Sequence, residues 1–129
     1  MNRPGPTILH VEDDRSLQSL VRAALERLGG YVVSSAANVA EALALARAQS
    51  PDLILLDLDL PGVDGVGTLA ALRELEGLGA VPAMFLTAAA DPATRERLRA
   101  FAACDVLGKP FRPRQLLQMV DAVLKRARP

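Results

Sequence analysis

The segment DLILLDLDLPGVDG, which runs from Asp52 to Gly65, places an unbroken apolar run directly before two acidic residues and a Pro-Gly turn. Leu53–Asp57 is apolar on both faces, which is typical of a central strand in a parallel sheet that is covered on both sides. Burying a carboxylate without a partner is costly. The segment therefore predicts a buried strand whose carboxyl end, at Asp57, meets groups that stabilise a negative charge.

The composition is that of one domain of ordinary size. The chain has 129 residues, of which 15 are basic, 15 are acidic and half are hydrophobic. This charge balance disfavours direct binding to nucleic acid, and no apolar run is long enough for a signal peptide or a transmembrane helix. The single cysteine, Cys104, cannot form an internal disulfide and suits a reducing compartment. We expect a cytoplasmic protein without membrane insertion.

Short apolar runs alternate with segments of helical periodicity along the chain. Strands are expected at Thr7–Val11, Tyr31–Ser35, Leu53–Asp57, Ala83–Thr87 and Asp105–Gly108. The first helix is expected to carry Leu17, Leu20, Val21, Leu25 and Leu28 on one face and to end at Gly29-Gly30. The other helices are expected from an Asn38 N-cap with Glu41 to about Gln49, around Gly65–Glu76, from Asp91-Pro92 to near Phe101, and after Pro113.

Five successive strand–helix units predict a flavodoxin-like, doubly wound α/β fold. Such a fold has a five-stranded parallel sheet in the order 2-1-3-4-5, with five helices on its two faces, and forms three α/β/α layers. No repeat or low-complexity linker divides the sequence. We therefore expect a single domain over residues 1–129, with a folded core of about residues 6–127 and no output domain in this chain.

Polar side chains follow four of the five predicted strands. They are Glu12, Asp13 and Asp14 after the first strand, Asp57 at the end of the third, Thr87 at the end of the fourth and Lys109 after the fifth. In open α/β sheets ligands bind beyond the carboxyl ends of the strands, so these side chains are expected to converge on one crevice. Asp14 is the exception, since we expect it to cap the first helix.

This set of side chains suits phosphoryl transfer. Carboxylate oxygens are ligands that Mg²⁺ prefers, and a carboxylate can itself attack phosphorus to form an aspartyl phosphate. A metal ion, a lysine ammonium and a threonine hydroxyl would neutralise the phosphoryl oxygens in the transition state.

Four motifs together resemble the receiver domains of two-component response regulators, in particular the single-domain type of the chemotaxis regulators. The motifs are ILHVEDD at Ile8–Asp14, PDLILLDLDLPGVDG at Pro51–Gly65, FLTA at Phe85–Ala88 and GKPF at Gly108–Phe111. They occur in the order and at the spacing of the family, and the resemblance covers essentially the whole chain.

The resemblance implies a role for each residue at the strand ends. Asp57 would accept a phosphoryl group, Thr87 would hydrogen-bond to that group, and Lys109 would form an ion pair with it. The peptide bond between Lys109 and Pro110 would be cis, which proline makes accessible.

The resemblance also implies a magnesium site, with Mn²⁺ as an alternative ion. Asp13 would bind the ion directly and Glu12 would bind it through water. Asp57 would be a further ligand, together with the backbone carbonyl of Asp59. The side chain of Asp59 is expected at the mouth of the site, either solvated or affecting the hydrolysis of the acyl phosphate.

A receiver is a signalling switch and not a turnover enzyme, although its own residues catalyse its phosphorylation and dephosphorylation. The donor would be a histidine kinase or a histidine phosphotransfer protein, and phosphorylation would alter a surface that binds a downstream protein. Val106 and Pro110 belong to this expected switch and output surface. The family commonly has an aromatic residue at the position of Val106, so we expect a shallower switch. A monomer or a weak, phosphorylation-dependent dimer is expected.

Other phosphoryl-handling sites contain similar acids. Asp57-x-Asp59 followed by Thr87 and Lys109 resembles the order in haloacid dehalogenase-type phosphatases, which however place a second acidic pair after the lysine. Glu12 with Asp57-x-Asp59 resembles the Toprim site of topoisomerases and primases, which leaves Thr87 and Lys109 unexplained. A receiver that no longer accepts phosphate is a third alternative, and the intact set of site residues argues against it.

Four further residues have structural interpretations. His10 lies within the first strand and is expected to be buried or to face a partner. Cys104 is expected to pack as a small apolar residue near the end of the fourth helix. Asp64 and Gly65 are expected to form the turn into the third helix.

Overall fold

The computed structural model describes residues 5–59, 65–88, 91–102 and 105–127, with the side chains of residues 100–102 left out. Its five strands are β1 (Thr7–Val11), β2 (Val32–Ala36), β3 (Leu53–Asp57), β4 (Ala83–Thr87) and β5 (Asp105–Gly108). Its helices are α1 (Arg15–Arg22, continued as a π-helix over Ala23–Leu28), α2 (Val39–Ala48), α3 (Gly65–Arg73), α4 (Pro92–Ala102) and α5 (Pro113–Ala127). Within these residues, no helix combines the length and the apolar character needed to cross a membrane.

The five strands form one parallel sheet in the order β2-β1-β3-β4-β5, which confirms the predicted topology. β3 lies in the centre, where Leu56 is paired in register with Val11 of β1 and with Phe85 of β4. Since all strands run in the same direction, their carboxyl ends lie along one edge of the sheet. The residues that follow the strands are thereby brought to that edge.

Two apolar clusters cover the two faces of the sheet. One joins alternate residues of the inner strands, such as Ile54 and Leu56, to α2, α3 and α4. The other joins the intervening residues, such as Leu53 and Leu55, to α1 and α5. All five positions of β3 are buried. This two-sided burial is why the strand is a continuous apolar run instead of an alternating one.

Side-chain caps begin the first two helices, as predicted. Asp14 Oδ1 accepts hydrogen bonds from the backbone N–H groups of Ser16 at 2.8 Å and Leu17 at 3.2 Å. Asn38 Oδ1 accepts one from Glu41 N–H at 2.9 Å, and the Glu41 carboxylate accepts one in return from Ala37 N–H at 3.0 Å. These contacts satisfy backbone donors that a helix cannot pair internally.

Three details of the prediction were wrong. β2 begins one residue later than expected, at Val32, and α3 ends at Arg73, before Glu76. On the first helix, Leu20 is 42% exposed and Leu28 is 58% exposed, although both were placed on the buried face. The π-helical stretch over Ala23–Leu28 follows a wider hydrogen-bonding pattern than an α-helix, so Leu28 is rotated off the apolar stripe.

Candidate functional site

The carboxyl edge of the sheet brings the predicted site residues together. Backbone hydrogen bonds extend the strand pairing past the strand ends, from Glu12 N to Ala36 O at 2.8 Å and from Lys109 N to Thr87 O at 2.9 Å. Glu12, Asp57 and Thr87 are each at most 3% exposed. The site is therefore a set of buried polar side chains held by strand ends on an otherwise apolar sheet.

Asp57 and Lys109 form the central ion pair of this site. Lys109 Nζ lies 2.5 Å from Asp57 Oδ2, and the backbone N–H of Asp59 donates a 2.7 Å hydrogen bond to Asp57 Oδ1. Burial by itself raises the pKa of Asp57, but hydrogen bonds from Glu12, Lys109 and the Asp59 backbone outweigh it and lower that pKa. Burial lowers the pKa of Lys109, and Asp57 and Asp59 outweigh it in the raising direction. Both members of the pair are therefore charged.

Glu12 lies beside Asp57, and its pKa is shifted in the opposite direction. Burial is the main cause that raises the pKa of Glu12 to about 8, and the neighbouring Asp57 carboxyl raises it further. Its Oε2 accepts a hydrogen bond from Asp14 N–H at 3.1 Å, whereas its buried Oε1 has no N–H or O–H donor among the described residues. Two adjacent buried carboxylates cannot readily both be charged, because each disfavours the charged form of the other. A divalent cation with oxygen ligands fits this carboxylate pair, since it would neutralise both groups.

The third expected carboxylate is placed differently. Asp13 is exposed, and across the described segments no three Asp, Glu, His or Cys side chains lie close enough together to hold a metal ion by themselves. Mg²⁺ commonly keeps several waters and uses only one or two protein carboxylates. The carboxylates of Glu12 and Asp57, completed by water, therefore suit this ion, which does not need a site built wholly from protein ligands.

The side chain of Asp59 makes contacts that the sequence did not indicate. Its Oδ1 accepts a hydrogen bond from the Thr87 hydroxyl at 3.0 Å, and its Oδ2 accepts one from Ala88 N–H at 2.8 Å. Oδ2 also lies 3.4 Å from Lys109 Nζ. The carboxylate is thus turned inward onto the ends of β4 and β5, in place of pointing into solvent. Nothing in the local sequence signals this, because the contact with Thr87 spans 28 residues.

Val106 lies within β5, and Pro110 follows the end of that strand. Val106 is completely buried, belongs to the cluster that includes Phe85 and Leu98, and accepts a 3.3 Å hydrogen bond at its carbonyl from Arg95 Nη1. Pro110 is exposed and follows a cis peptide bond, as predicted.

His10 is fully buried in β1, which agrees with one of its two predicted placements. Neither ring nitrogen has a hydrogen-bond partner among the described residues. Burial is the main cause that lowers the pKa of His10 to about 4, so the ring is neutral near pH 7. The interpretations of Asp64 and Cys104 concern positions outside the described residues.

Comparison with known proteins agrees with this geometry. The family described as "Response regulator receiver domain" matches residues 8–121. The chain belongs to this family. The receiver domain is a signalling domain, and its phosphoryl-accepting role fits the strand-end site. The matches give no support to a phosphatase or a Toprim site.

Individual relatives show the same relationship. The receiver domain is 36% identical, over 97% of its length and 54% of the relative's, to the phosphate regulon transcriptional regulatory protein PhoB of Pseudomonas aeruginosa. It spans about half the length of the curated relatives that it matches.

Two solved structures share its fold over nearly their whole length. Chemotaxis protein CheY4 of Vibrio cholerae is 31% identical with a TM-score of 0.84, over 92% of this chain and 98% of that one. The receiver domain of the sensor histidine kinase PA1611 of Pseudomonas aeruginosa, which has a magnesium ion coordinated in its active site cleft, is 34% identical. Its TM-score is 0.79, over 94% of this chain and 98% of that one.

Proposed function

We propose that this receiver domain accepts a phosphoryl group on Asp57 from the phosphohistidine of a histidine kinase or a phosphotransfer protein. The observation that carries the proposal is the 2.5 Å contact between Asp57 and Lys109, at a sheet edge shared with Glu12 and Thr87. A buried carboxylate that is held in its charged form beside an ammonium is suited to attack a phosphoryl group.

The transfer is a displacement at phosphorus. An oxygen of the Asp57 carboxylate forms the new P–O bond while the P–N bond of the donor breaks, and its electron pair remains on the donor's imidazole nitrogen. Lys109 neutralises charge on the phosphoryl oxygens, and the Thr87 hydroxyl donates a hydrogen bond to one of them. Attack of water on phosphorus later releases inorganic phosphate and restores the carboxylate, so the domain is a switch and not a turnover enzyme.

A magnesium ion completes this site in the proposal. Glu12, through water, Asp13, Asp57 and the backbone carbonyl of Asp59 would hold it, with Mn²⁺ as an alternative ion. The orphaned Oε1 of Glu12 and the raised pKa of that carboxyl beside Asp57 support a cation here. When bound, the ion supplies positive charge to the carboxylates and the phosphoryl oxygens. The solved receiver domain of PA1611, with magnesium in its cleft, supports the same ion.

The phosphorylated form would present an altered protein-binding surface around α4, β5 and α5, which includes Val106 and Pro110. Phosphorylation would shift the population between two arrangements of that surface. We infer a cytoplasmic domain with a folded core of about residues 6–127 that contacts proteins and not nucleic acid. It would be monomeric or form a weak dimer on phosphorylation.

Incubation with acetyl phosphate and Mg²⁺, followed by intact mass spectrometry, tests the proposal. We expect one added phosphoryl group that is stable in acid and labile in base, and none when EDTA removes the metal. Asp57→Asn should abolish the adduct. Asp52→Asn is the matched control, because Asp52 precedes the opposite end of β3 and accepts a 2.7 Å hydrogen bond from Thr7 N–H. No adduct on the wild type, or an undiminished adduct on Asp57→Asn, would overturn the proposal.

A further inference from the structure

We propose that the carboxylate of Asp59 is an internal substitute for the phosphoryl group, which occupies the phosphoryl-binding donors until phosphorylation of Asp57 displaces it. The inference rests on the proposed function of Asp57, Thr87 and Lys109. It assigns to the Asp59 side chain a role beyond the carbonyl that the metal site would use.

Three donors from two strand ends converge on this single carboxylate. They are the Thr87 hydroxyl at 3.0 Å, the Ala88 backbone N–H at 2.8 Å and the Lys109 ammonium at 3.4 Å. A neutral hydroxyl, a backbone amide and a cation together form a site for an oxyanion. Asp59 fills that site with its own two oxygens.

The same site adjoins the carboxylate that would carry the phosphoryl group. Lys109 contacts Asp57 at 2.5 Å as well as Asp59, and the Asp59 N–H donates to Asp57 at 2.7 Å. A phosphoryl group on Asp57 would therefore reach the donors that Asp59 now holds. Since a phosphoryl group and the Asp59 carboxylate are both anionic, one lysine cannot neutralise both in the same place.

Displacement of Asp59 is feasible because its side chain is 35% exposed, whereas that of Asp57 is 3% exposed. The carboxylate can rotate into water and be rehydrated, and partly exposed ion pairs are weak. Asp59 therefore competes with the phosphoryl group without blocking it. In the unphosphorylated domain it also holds the Thr87 hydroxyl in a hydrogen bond.

Beryllofluoride, a non-transferable phosphoryl mimic, measures this competition directly. The chain contains no Trp, so ¹⁹F NMR of bound beryllofluoride is a suitable readout, at saturating Mg²⁺. We expect Asp59→Ala to bind beryllofluoride roughly tenfold more tightly than the wild type. This is the change expected when the bound ligand no longer has to displace one partly exposed carboxylate from its charge-assisted contacts. Asp59→Asn, which keeps the shape but loses the charge, should fall between them. Glu76→Gln removes an exposed charge after α3 and should match the wild type.

A second readout does not depend on any phosphoryl mimic. In the metal-free domain, Asp59→Ala should shift the backbone amide resonance of Ala88 in the direction that a weakened hydrogen bond causes. The amide resonance of Gln49, the control, should not shift. Equal or weaker beryllofluoride binding by Asp59→Ala, while Asp57 of the wild type is still phosphorylated, would overturn this inference and leave the proposed function standing. Failure of the wild type both to bind beryllofluoride and to accept phosphate would overturn both.

Discussion

Lys109 Nζ lies 2.5 Å from Asp57 Oδ2, although 52 residues separate them in the chain. The contact joins the end of the central strand β3 to the residue that follows the edge strand β5. It explains how the fold holds an acid that is 3% exposed in its charged form. The ammonium also lies near Asp59, so the same cation stabilises the negative charge of two carboxylates.

Removal of this cation should slow phosphorylation more than it changes the fold. We predict that Lys109→Met lowers the initial rate of labelling by acetyl phosphate roughly a hundredfold, because charge on the phosphoryl oxygens is no longer neutralised in the transition state. Intact mass spectrometry at saturating Mg²⁺ measures the rate. Lys125→Met, an exposed change on α5, is the control and should leave the rate unchanged. An unchanged rate in Lys109→Met would rule out this role.

We predict that His10 makes the domain less stable, because its ring is fully buried without hydrogen-bond partners among the described residues. His10→Leu should raise the free energy of unfolding by about 1–3 kcal/mol, the penalty of a buried unpaired polar group. Urea denaturation in metal-free buffer near pH 7.5 measures the change. His10→Gln keeps a buried polar group and should show no such gain.

The gain from His10→Leu should also depend on pH. The folded-state pKa of His10 is about 4, below the ordinary value of 6.5, so the unfolded chain takes up the proton first as the pH falls. The wild type should therefore lose stability relative to His10→Leu between pH 6.5 and pH 4, by about 3 kcal/mol over the full window. A stability difference that stays constant with pH would contradict the burial of a neutral ring.

An apolar pocket at the mouth of the site predicts where a protein donor docks. It is lined by Leu17, Leu20, Ala88, Lys109, Pro110 and Phe111. On the proposed function, a phosphohistidine would approach Asp57 past Lys109, so we expect the donor protein to cover this pocket. The exposed side chain of Leu20 is then buried on docking, which favours binding.

Leu20→Ala should therefore slow phosphorylation by a histidine kinase that labels the wild type, while labelling by acetyl phosphate stays the same. Leu28→Ala removes an equally apolar, exposed residue of the same helix outside the pocket, and should affect neither reaction. If Leu20→Ala changed both reactions equally, the pocket would have no part in docking.

Val106 should resist replacement by the aromatic residue that is common in the family. The side chain is fully buried in the cluster with Phe85 and Leu98. We predict that Val106→Tyr lowers the free energy of unfolding by about 1–3 kcal/mol through overpacking, as measured by urea denaturation. Val32→Tyr, on a strand residue that is 36% exposed, should change stability little. Equal stability of Val106→Tyr and the wild type would show that the cluster has space for a ring.

The sequence predicts the sheet better than the site. The sequence predicts both ends of β3 (Leu53–Asp57) and of β4 (Ala83–Thr87) correctly, because a strand that is buried on both faces must be apolar throughout. The π-helical stretch of α1 was missed, because π-helical turns are rare and no residue pattern over Ala23–Leu28 signals one. The end of α3 at Arg73 was also missed.

Within the site, sequence order predicts which side chains reach the carboxyl edge but not how they pair. Glu12, Asp57, Thr87 and Lys109 reach that edge because parallel strands end there. The inward turn of the Asp59 carboxylate depends on a rotamer and on donors at Thr87 and Ala88, far away in the chain. Local patterns contain no information about such a choice.

Mapping the phosphorylated residue tests directly whether Asp57 is the phosphoryl acceptor. The domain is phosphorylated with acetyl phosphate and Mg²⁺ and treated with borohydride, which reduces an aspartyl phosphate to homoserine. Peptide fragmentation then locates the reduced residue. We predict homoserine at position 57 and none at Asp13 or Asp59. Homoserine at either of those two positions, or its absence from position 57 in a labelled sample, would contradict phosphorylation of Asp57.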